Sequence, residues 1–310
     1  MTTENPLRIA VIGVGSLGQH HARILSDLPG TSLTGVVDTN QDRAREIAGK
    51  YGAPFFTDYG SLPEVDAVVI AAPTRLHTEL AAHFLEKGIG VLCEKPMATT
   101  VEECETILAA RDRSQTPLLV GHIEHFNPGV EALSKHVERP GFLEVHRLGV
   151  FVPRSLDVDV VLDLMIHDIE IAQSLVKKAV ARVEAVGVRV LTPYVDLCNA
   201  RLTFEGGCVA NLTASRISRE KVRKLRLFQS AAYLSVDYGE QAVEYFRVDE
   251  SGGARNIIRV PVPVGKKEPL RCELEHFVRV LKSEESPKVS GEAARDAVAT
   301  AQSILACIAT

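Results

Sequence analysis

From Leu7 onward, short apolar runs of strand length alternate with longer stretches in which apolar residues recur every three or four positions. LRIAVIG reads as a strand, VGSLGQH as a glycine turn and HARILSDL as the helix that the turn opens. SLTGVVD is a second strand ending at Asp38, and QDRAREIAGKYG is a helix that Gly52 stops. VDAVVIAAP, HTELAAHFLEKG, GVLCEKP, VEECETILAARD and PLLVGH continue the alternation of strand and helix. A helix between successive strands makes a right-handed crossover, so the strands run parallel in a doubly wound α/β sheet, a Rossmann domain.

Beyond residue 121 the pattern changes. A helical stretch from about Val160 to Val176 gives way to runs rich in strand signals: ARVEAVGVRVLT, LCNARLTFEGGCVANLTAS, VRKLRLFQS, AYLSVDYG, AVEYFRVDE and IIRVPVPV. EGG, YGE and SGG supply turns between several of them, which predicts a second domain of α+β class with a sheet built mostly from hairpins. EPLRCELEHFVRVLKS and GEAARDAVATAQSILACIA close the chain as helices.

A chain of 310 residues, 45% hydrophobic and 24% charged, has material for two buried cores. No apolar run reaches the roughly 18 residues of a membrane helix, and the opening MTTENPLRIAVIG carries no signal-peptide pattern, so a cytoplasmic location without a membrane partner is expected. Six scattered cysteines without a C-x-x-C pair speak against a disulfide framework and against a zinc site, and no metal is expected. The net charge of −5 is unevenly placed: residues 1–120 hold 10 basic and 15 acidic side chains, and residues 121–310 hold 25 of each. Such a balance disfavours nucleic acid as a partner, because phosphate backbones need a basic surface.

Gly13-Val14-Gly15-Ser16-Leu17-Gly18 matches G-x-G-x-x-G between a strand and a helix. The first glycine permits a tight turn, the second lets backbone approach a pyrophosphate, and the third lets helix and strand pack closely. Asp38 closes the second strand 20 residues after Gly18, where its carboxylate can accept hydrogen bonds from both ribose hydroxyls of an adenosine. It would repel a 2'-phosphate, and Thr39 and Asn40 offer no basic clamp, so NAD is favoured over NADP.

Together with the glycine turn, Ala72-Pro73-Thr74 followed by His77, and Glu94-Lys95-Pro96 after the next strand, resemble the glucose-fructose oxidoreductase and inositol dehydrogenase family, Gfo/Idh/MocA, from end to end. The resemblance implies a dinucleotide domain over residues 1–121, completed by a returning helix at 291–310. It also implies a substrate-binding domain over 122–290 with a large, mostly antiparallel open sheet, through which members pair as homodimers or homotetramers. Ser16, Leu17, the Ala72 to Thr74 turn, His77 and Glu94 join the glycines and Asp38 as cofactor contacts. The catalytic signature is Lys95 with Asp163 and His167. Asp163 and His167 are four apart on one predicted helix face, a spacing at which the carboxylate can fix the imidazole's tautomer and raise its basicity. The family places Lys95 beside the nicotinamide, where its ammonium can hydrogen-bond the oxygen that becomes a carbonyl. The spacing leaves open whether Lys95 or His167 takes the hydroxyl proton. Glu170 stands where relatives often carry Asp.

GHIEHFNP at Gly121–Pro128 and the region around FVPRSLDVDVVLDLMIHDIE resemble the nucleotide-sugar branch of the family, with His125 where Arg is usual. That branch implies NAD-dependent oxidation of the C3 hydroxyl of UDP-linked N-acetylglucosamine to a 3-keto sugar, a step toward the 3-amino sugars of lipid A or other envelope glycans. His125, Asn127, Arg154, Arg216 and Arg219 are the candidate substrate contacts, the last two from a basic run, Arg216 to Arg226, able to engage a diphosphate. A dehydrogenase of a free sugar or cyclitol, and a dinucleotide-binding regulator without turnover, are the alternatives.

Overall fold

The computed structural model describes residues 5–152, 158–251 and 255–308. The chain divides into two compact units, one of residues 1–123 and 270–295, the other of residues 124–269 and 296–310.

The first unit contains β1 (Leu7–Ile12), α1 (Gly18–Leu25), β2 (Thr31–Val37), α2 (Gln41–Tyr51), β3 (Phe55–Phe56), β4 (Ala67–Ile70), α3 (His77–Glu86), β5 (Gly90–Glu94), α4 (Val101–Ser114) and β6 (Leu118–Gly121). All neighbouring strands pair parallel, in the order β3-β2-β1-β4-β5-β6. This is the doubly wound arrangement, whose strand order reverses beside β1. Residues of β4 and β5 are buried without exception, as expected of strands covered by helices on both faces. Local chemistry sets the helix ends. Asn40 caps α2 by accepting from the Arg43 amide, and Gly52 ends it at φ 66°; Thr100 and Glu103 form a capping box at the start of α4.

The second unit holds α5 (Pro128–Ser134), β7 (Pro140–Leu148), α6 (Ile166–Val176), and then β8 (Val180–Val188), β9 (Leu197–Phe204), β10 (Val209–Ser215), β11 (Val222–Gln229), β12 (Ala232–Asp237), β13 (Ala242–Asp249) and β14 (Asn256–Val260). They form one eight-stranded sheet, β14-β13-β12-β11-β7-β10-β9-β8, antiparallel except where β7 runs parallel to β10. Helix α5 packs on β12 and β13, and α6 on β7 and β10, so one face of the sheet is covered. The other face carries an aromatic row, Phe142, Phe228, Tyr233 and Phe246, with successive ring centroids 5.9, 5.1 and 6.1 Å apart.

Two helices follow, α7 (Pro269–Leu281) and α8 (Gly291–Ile308). The division of the chain differs from the expected return of residues 291–310. Helix α7 joins the first unit, because Leu270, Leu274 and Phe277 enter the core beside Ile9, Val11, Ile24 and Leu92. Helix α8 is shared out, its residues up to Arg295 with the first unit and from Asp296 with the second. Three elements had no counterpart in the sequence pattern: the two-residue edge strand β3, the short helix α5, and β7. Among the described residues no helix is long and apolar enough to cross a membrane.

Candidate active site

The glycine turn leaves β1 at the point where the strand order reverses. Gly13 has φ +83°, and a Cβ there would lie 2.7 Å from the Ala71 carbonyl oxygen; a Cβ on Gly18 would lie 1.8 Å from the Gly13 oxygen. Both glycines are therefore demanded by packing. A Cβ at Gly15 would meet no atom of the described residues within 4 Å, so the glycine leaves open space before the backbone, as a pyrophosphate requires. Asp38 is tied to this turn: one carboxylate oxygen accepts from the Val14 amide at 3.0 Å and the other from the Asn40 amide at 2.9 Å. Arg43 lies nearby but is engaged by Val14 O, Gln19 and Glu46. Replacing Asp38 by Ala is expected to weaken NADH binding by about 10-fold or more, the worth of a charged hydrogen bond. NADH fluorescence titration measures it, and unchanged affinity would remove Asp38 from the ribose site.

The second motif surrounds the ends of β4 and β5. His77 is buried, with Nε2 2.9 Å from the Ala72 oxygen and Nδ1 3.0 Å from the Pro96 oxygen. Burial pushes its pKa down while the two carbonyls oppose that shift. Its ring thus ties the Ala72-Pro73-Thr74 turn to the Glu94-Lys95-Pro96 segment. Thr74 opens a 3-10 turn, Thr74–Leu76, leading into α3; Ser16 is exposed and Leu17 half-buried. Glu94, the last residue of β5, is buried with Oε1 2.7 Å from His21 Nε2, and its Oε2 accepts from the Lys95 amide at 3.2 Å. Lys95 follows, half-buried.

In the second unit Asp163 lies in a π-helical turn, Val161–Met165, that runs into α6, where His167 is the second residue. Such a turn is common at functional sites because it re-aims the side chains on either side of it. Both residues are half-buried. Asp163 lines a cavity of about 200 Å3 together with Arg147, Arg216, Lys221 and Arg223. Arg216 is buried, donating to the Val158 oxygen at 2.6 Å, with Nε 3.9 Å from Asp196. Burial of Asp196 is outweighed by the amides of Thr192, Val190 and Leu191, which hold its pKa down at about 2. Arg147 on β7 and Arg223 on β11 are paired across the strands, on the face that the helices cover. Arg147 is buried over the Tyr238 ring and grips Asp168 with two hydrogen bonds of 2.8 Å and Glu124 with one of 2.9 Å.

Residues 7–122 match the family model described as "Oxidoreductase family, NAD-binding Rossmann fold", and residues 139–235 match the GFO/IDH/MocA C-terminal domain. UDP-N-acetylglucosamine 3-dehydrogenase of Acidithiobacillus ferrooxidans is 34% identical over 303 residues, covering 95% of each chain. The chain belongs to the Gfo/Idh/MocA oxidoreductase family. A solved structure of that same A. ferrooxidans enzyme superposes with a TM-score of 0.91 over 97% of both chains. Myo-inositol 2-dehydrogenase of Thermotoga maritima is more distant, 26% identical over 306 residues. This Gfo/Idh/MocA member is accordingly an NAD-binding oxidoreductase.

Within this family member the candidate substrate residues fare unequally. Arg216 lines the cavity, whereas Arg219 is exposed and is not among the lining side chains. His125 pairs through Nε2 with the buried Glu170. Asn127 is occupied by the fold: its Oδ1 accepts from the Gly129 amide at 3.0 Å as the cap of α5, and its Nδ2 donates to the Tyr238 oxygen at 3.0 Å. Its Nδ2 also donates to Glu124 Oε2 at 3.3 Å, so both donors of this buried amide serve the fold. Arg154 lies outside the described residues. Lys221 and Arg223 belong to the basic run Arg216 to Arg226 but were not singled out within it, and Arg147 was not anticipated. For Arg223 a signal existed: it shares strand parity with Leu225 and Leu227, the buried residues of β11.

Proposed function

We propose that the protein is an NAD-dependent dehydrogenase of UDP-linked N-acetylglucosamine, oxidising the C3 hydroxyl to a 3-keto sugar for 3-amino-sugar synthesis in the cytoplasm. The observation that carries this is the cavity in which Asp163 stands among four cationic side chains. A diphosphate needs such donors, and a free cyclitol does not. The relative 34% identical along nearly the whole chain supports the same choice.

NAD, when bound, supplies the nicotinamide that accepts the hydride. Gly13, Gly15 and Gly18 give the pyrophosphate its approach, and Asp38 takes the ribose. Lys95 donates a hydrogen bond to the sugar oxygen as negative charge develops on it, and an ammonium has no lone pair with which to take a proton. His167, oriented by Asp163, has one when neutral and receives the hydroxyl proton. Arg216, Lys221 and Arg223 hold the diphosphate. The aromatic row on the outer face of the sheet, with Phe228 40% exposed, supports a homodimer or homotetramer in which a second copy covers it.

Incubation of the purified protein with NAD and either UDP-N-acetylglucosamine or myo-inositol, followed at the NADH absorbance, tests the reading. Turnover of the nucleotide sugar alone is expected, and turnover of inositol alone would sink it. Arg223→Ala is expected to raise KM for the nucleotide sugar about 10-fold or more, by loss of a charged hydrogen bond, with kcat changed far less.

A further inference from the structure

Helix α7 sends an apolar stripe into the core of the first unit, and one position of that stripe is an acid. Glu273 is 0% exposed, and among the described residues neither of its carboxyl oxygens has a hydrogen-bond partner. It faces two other buried groups, His21 of α1 and Glu94 at the end of β5; one ligand atom from each of the three lies within 4.8 Å of the others. The carboxyl of Glu94 is thereby enclosed. His21 Nε2 stands 2.7 Å from one oxygen, the Lys95 amide donates to the other at 3.2 Å, and Gly121 leaves it room, since a Cβ there would sit 3.0 Å from Glu94 Cδ and Oε2.

We propose that Glu273 is a positioning residue for Lys95: packed against Glu94 and His21 behind the end of β5, it fixes the carboxyl that holds the Lys95 backbone. The proposal rests on the reading of Lys95 as a group that touches the reacting sugar. Burial, reinforced by the charge of Glu94, pushes Glu273 well above the usual carboxylate range and favours its protonated form. A carboxylic acid has one O–H to donate, and Glu94 and His21 are the polar groups of the cluster that lie within 4.8 Å. On α7 itself Arg271 pairs with Asp27, and His276 pairs with Glu285. An apolar residue at this position of the stripe would pack without that burden. The sign of the pH effect follows. The folded carboxyl holds its proton to higher pH than the unfolded one, so its contribution to stability falls as pH rises above the ordinary glutamate pKa of about 4.5.

Glu273→Gln and Glu273→Leu, compared with the wild type in Tm, NADH affinity and kcat on the nucleotide sugar, test this. Gln keeps a donor and removes the titration, so its Tm advantage over the wild type is expected to widen from pH 5 to pH 8, with kcat retained. Leu completes the apolar stripe and is expected to fold, but to lower kcat by about 10-fold or more with KM and NADH affinity nearly unchanged, because only a transition-state contact is disturbed. A Leu variant of wild-type kcat overturns the positioning role, and so does a Tm difference that is flat in pH. A stoichiometric divalent cation found in the wild type by metal analysis and lost in Glu273→Gln would also overturn it, making the cluster a metal site. Wild-type turnover is the internal control: without it the reading of Lys95 falls and takes the proposal with it, whereas an active wild type beside a fully active Leu variant removes the positioning role alone.

Discussion

Lys95→Met is expected to lower kcat by about 10²- to 10⁴-fold while NADH affinity stays within roughly 3-fold, the range for losing a donor aimed at the reacting oxygen. Methionine retains an unbranched stem of similar bulk for the half-buried site at the end of β5 and removes only the ammonium. The backbone amide of Lys95, which donates to Glu94, is untouched by the change, so the shape of the segment persists. Stopped-flow measurement of NADH formation separates hydride transfer from product release, and a Met variant within 2-fold of wild type would remove Lys95 from the chemistry. His167→Asn provides the complementary reading. A base must be unprotonated, so wild-type kcat/KM should decline on the acid side as the imidazole takes a proton, and the Asn variant should lose that limb along with most of its rate. An acid limb that survives in His167→Asn but vanishes in Lys95→Met would exchange the two roles.

What was legible in the sequence was the local chemistry of the first unit. A strand, a glycine turn and a helix are contiguous in the chain, and the packing of Gly18 on the Gly13 carbonyl follows from that adjacency, whereas the atoms that forbid a Cβ at Gly13 come from Ala71 and Ala72 after β4. Residues whose role depends on distant partners were harder to read. Strand β7 alternates at Leu143, Glu144, Val145 and His146, but the run is short and Arg147 breaks it at the next buried position. Its neighbours β10 and β11 come some 60 to 80 residues later, so nothing local marks it as central. Glu273 and His21 are hidden in the same way, as polar residues at core-facing positions of α7 and α1. In each case an ionisable residue occupies a position that periodicity assigns to the core. That conflict is the usable signal, since an ionisable group is costly to bury.

The largest effect on stability is expected at Arg147. Leucine there would leave Asp168 and Glu124 buried and facing one another without the cation that now bridges them, at a loss of about 3–5 kcal/mol. In thermal scans this corresponds to a Tm lower by roughly 6–20 °C. In the wild type, burial raises the pKa of Asp168 and Arg147 opposes that shift through its paired hydrogen bonds. Without the guanidinium the opposition disappears, and the folded state takes up protons that the unfolded chain releases. The deficit should therefore shrink toward pH 5 and widen toward pH 8, and a deficit independent of pH would show that the carboxylates find other partners. Replacing Arg147, Asp168 and Glu124 together by apolar residues of similar volume is expected to restore most of the stability, because no charge is then left unpaired. It should not restore turnover. Arg147 lines the same cavity as Asp163, Arg216 and Arg223, and Asp168 adjoins His167 on α6, so the network that holds the core of the second unit is also the floor of the proposed diphosphate site. A triple variant with wild-type kcat/KM would confine the network to stability and leave the diphosphate to Arg216, Lys221 and Arg223.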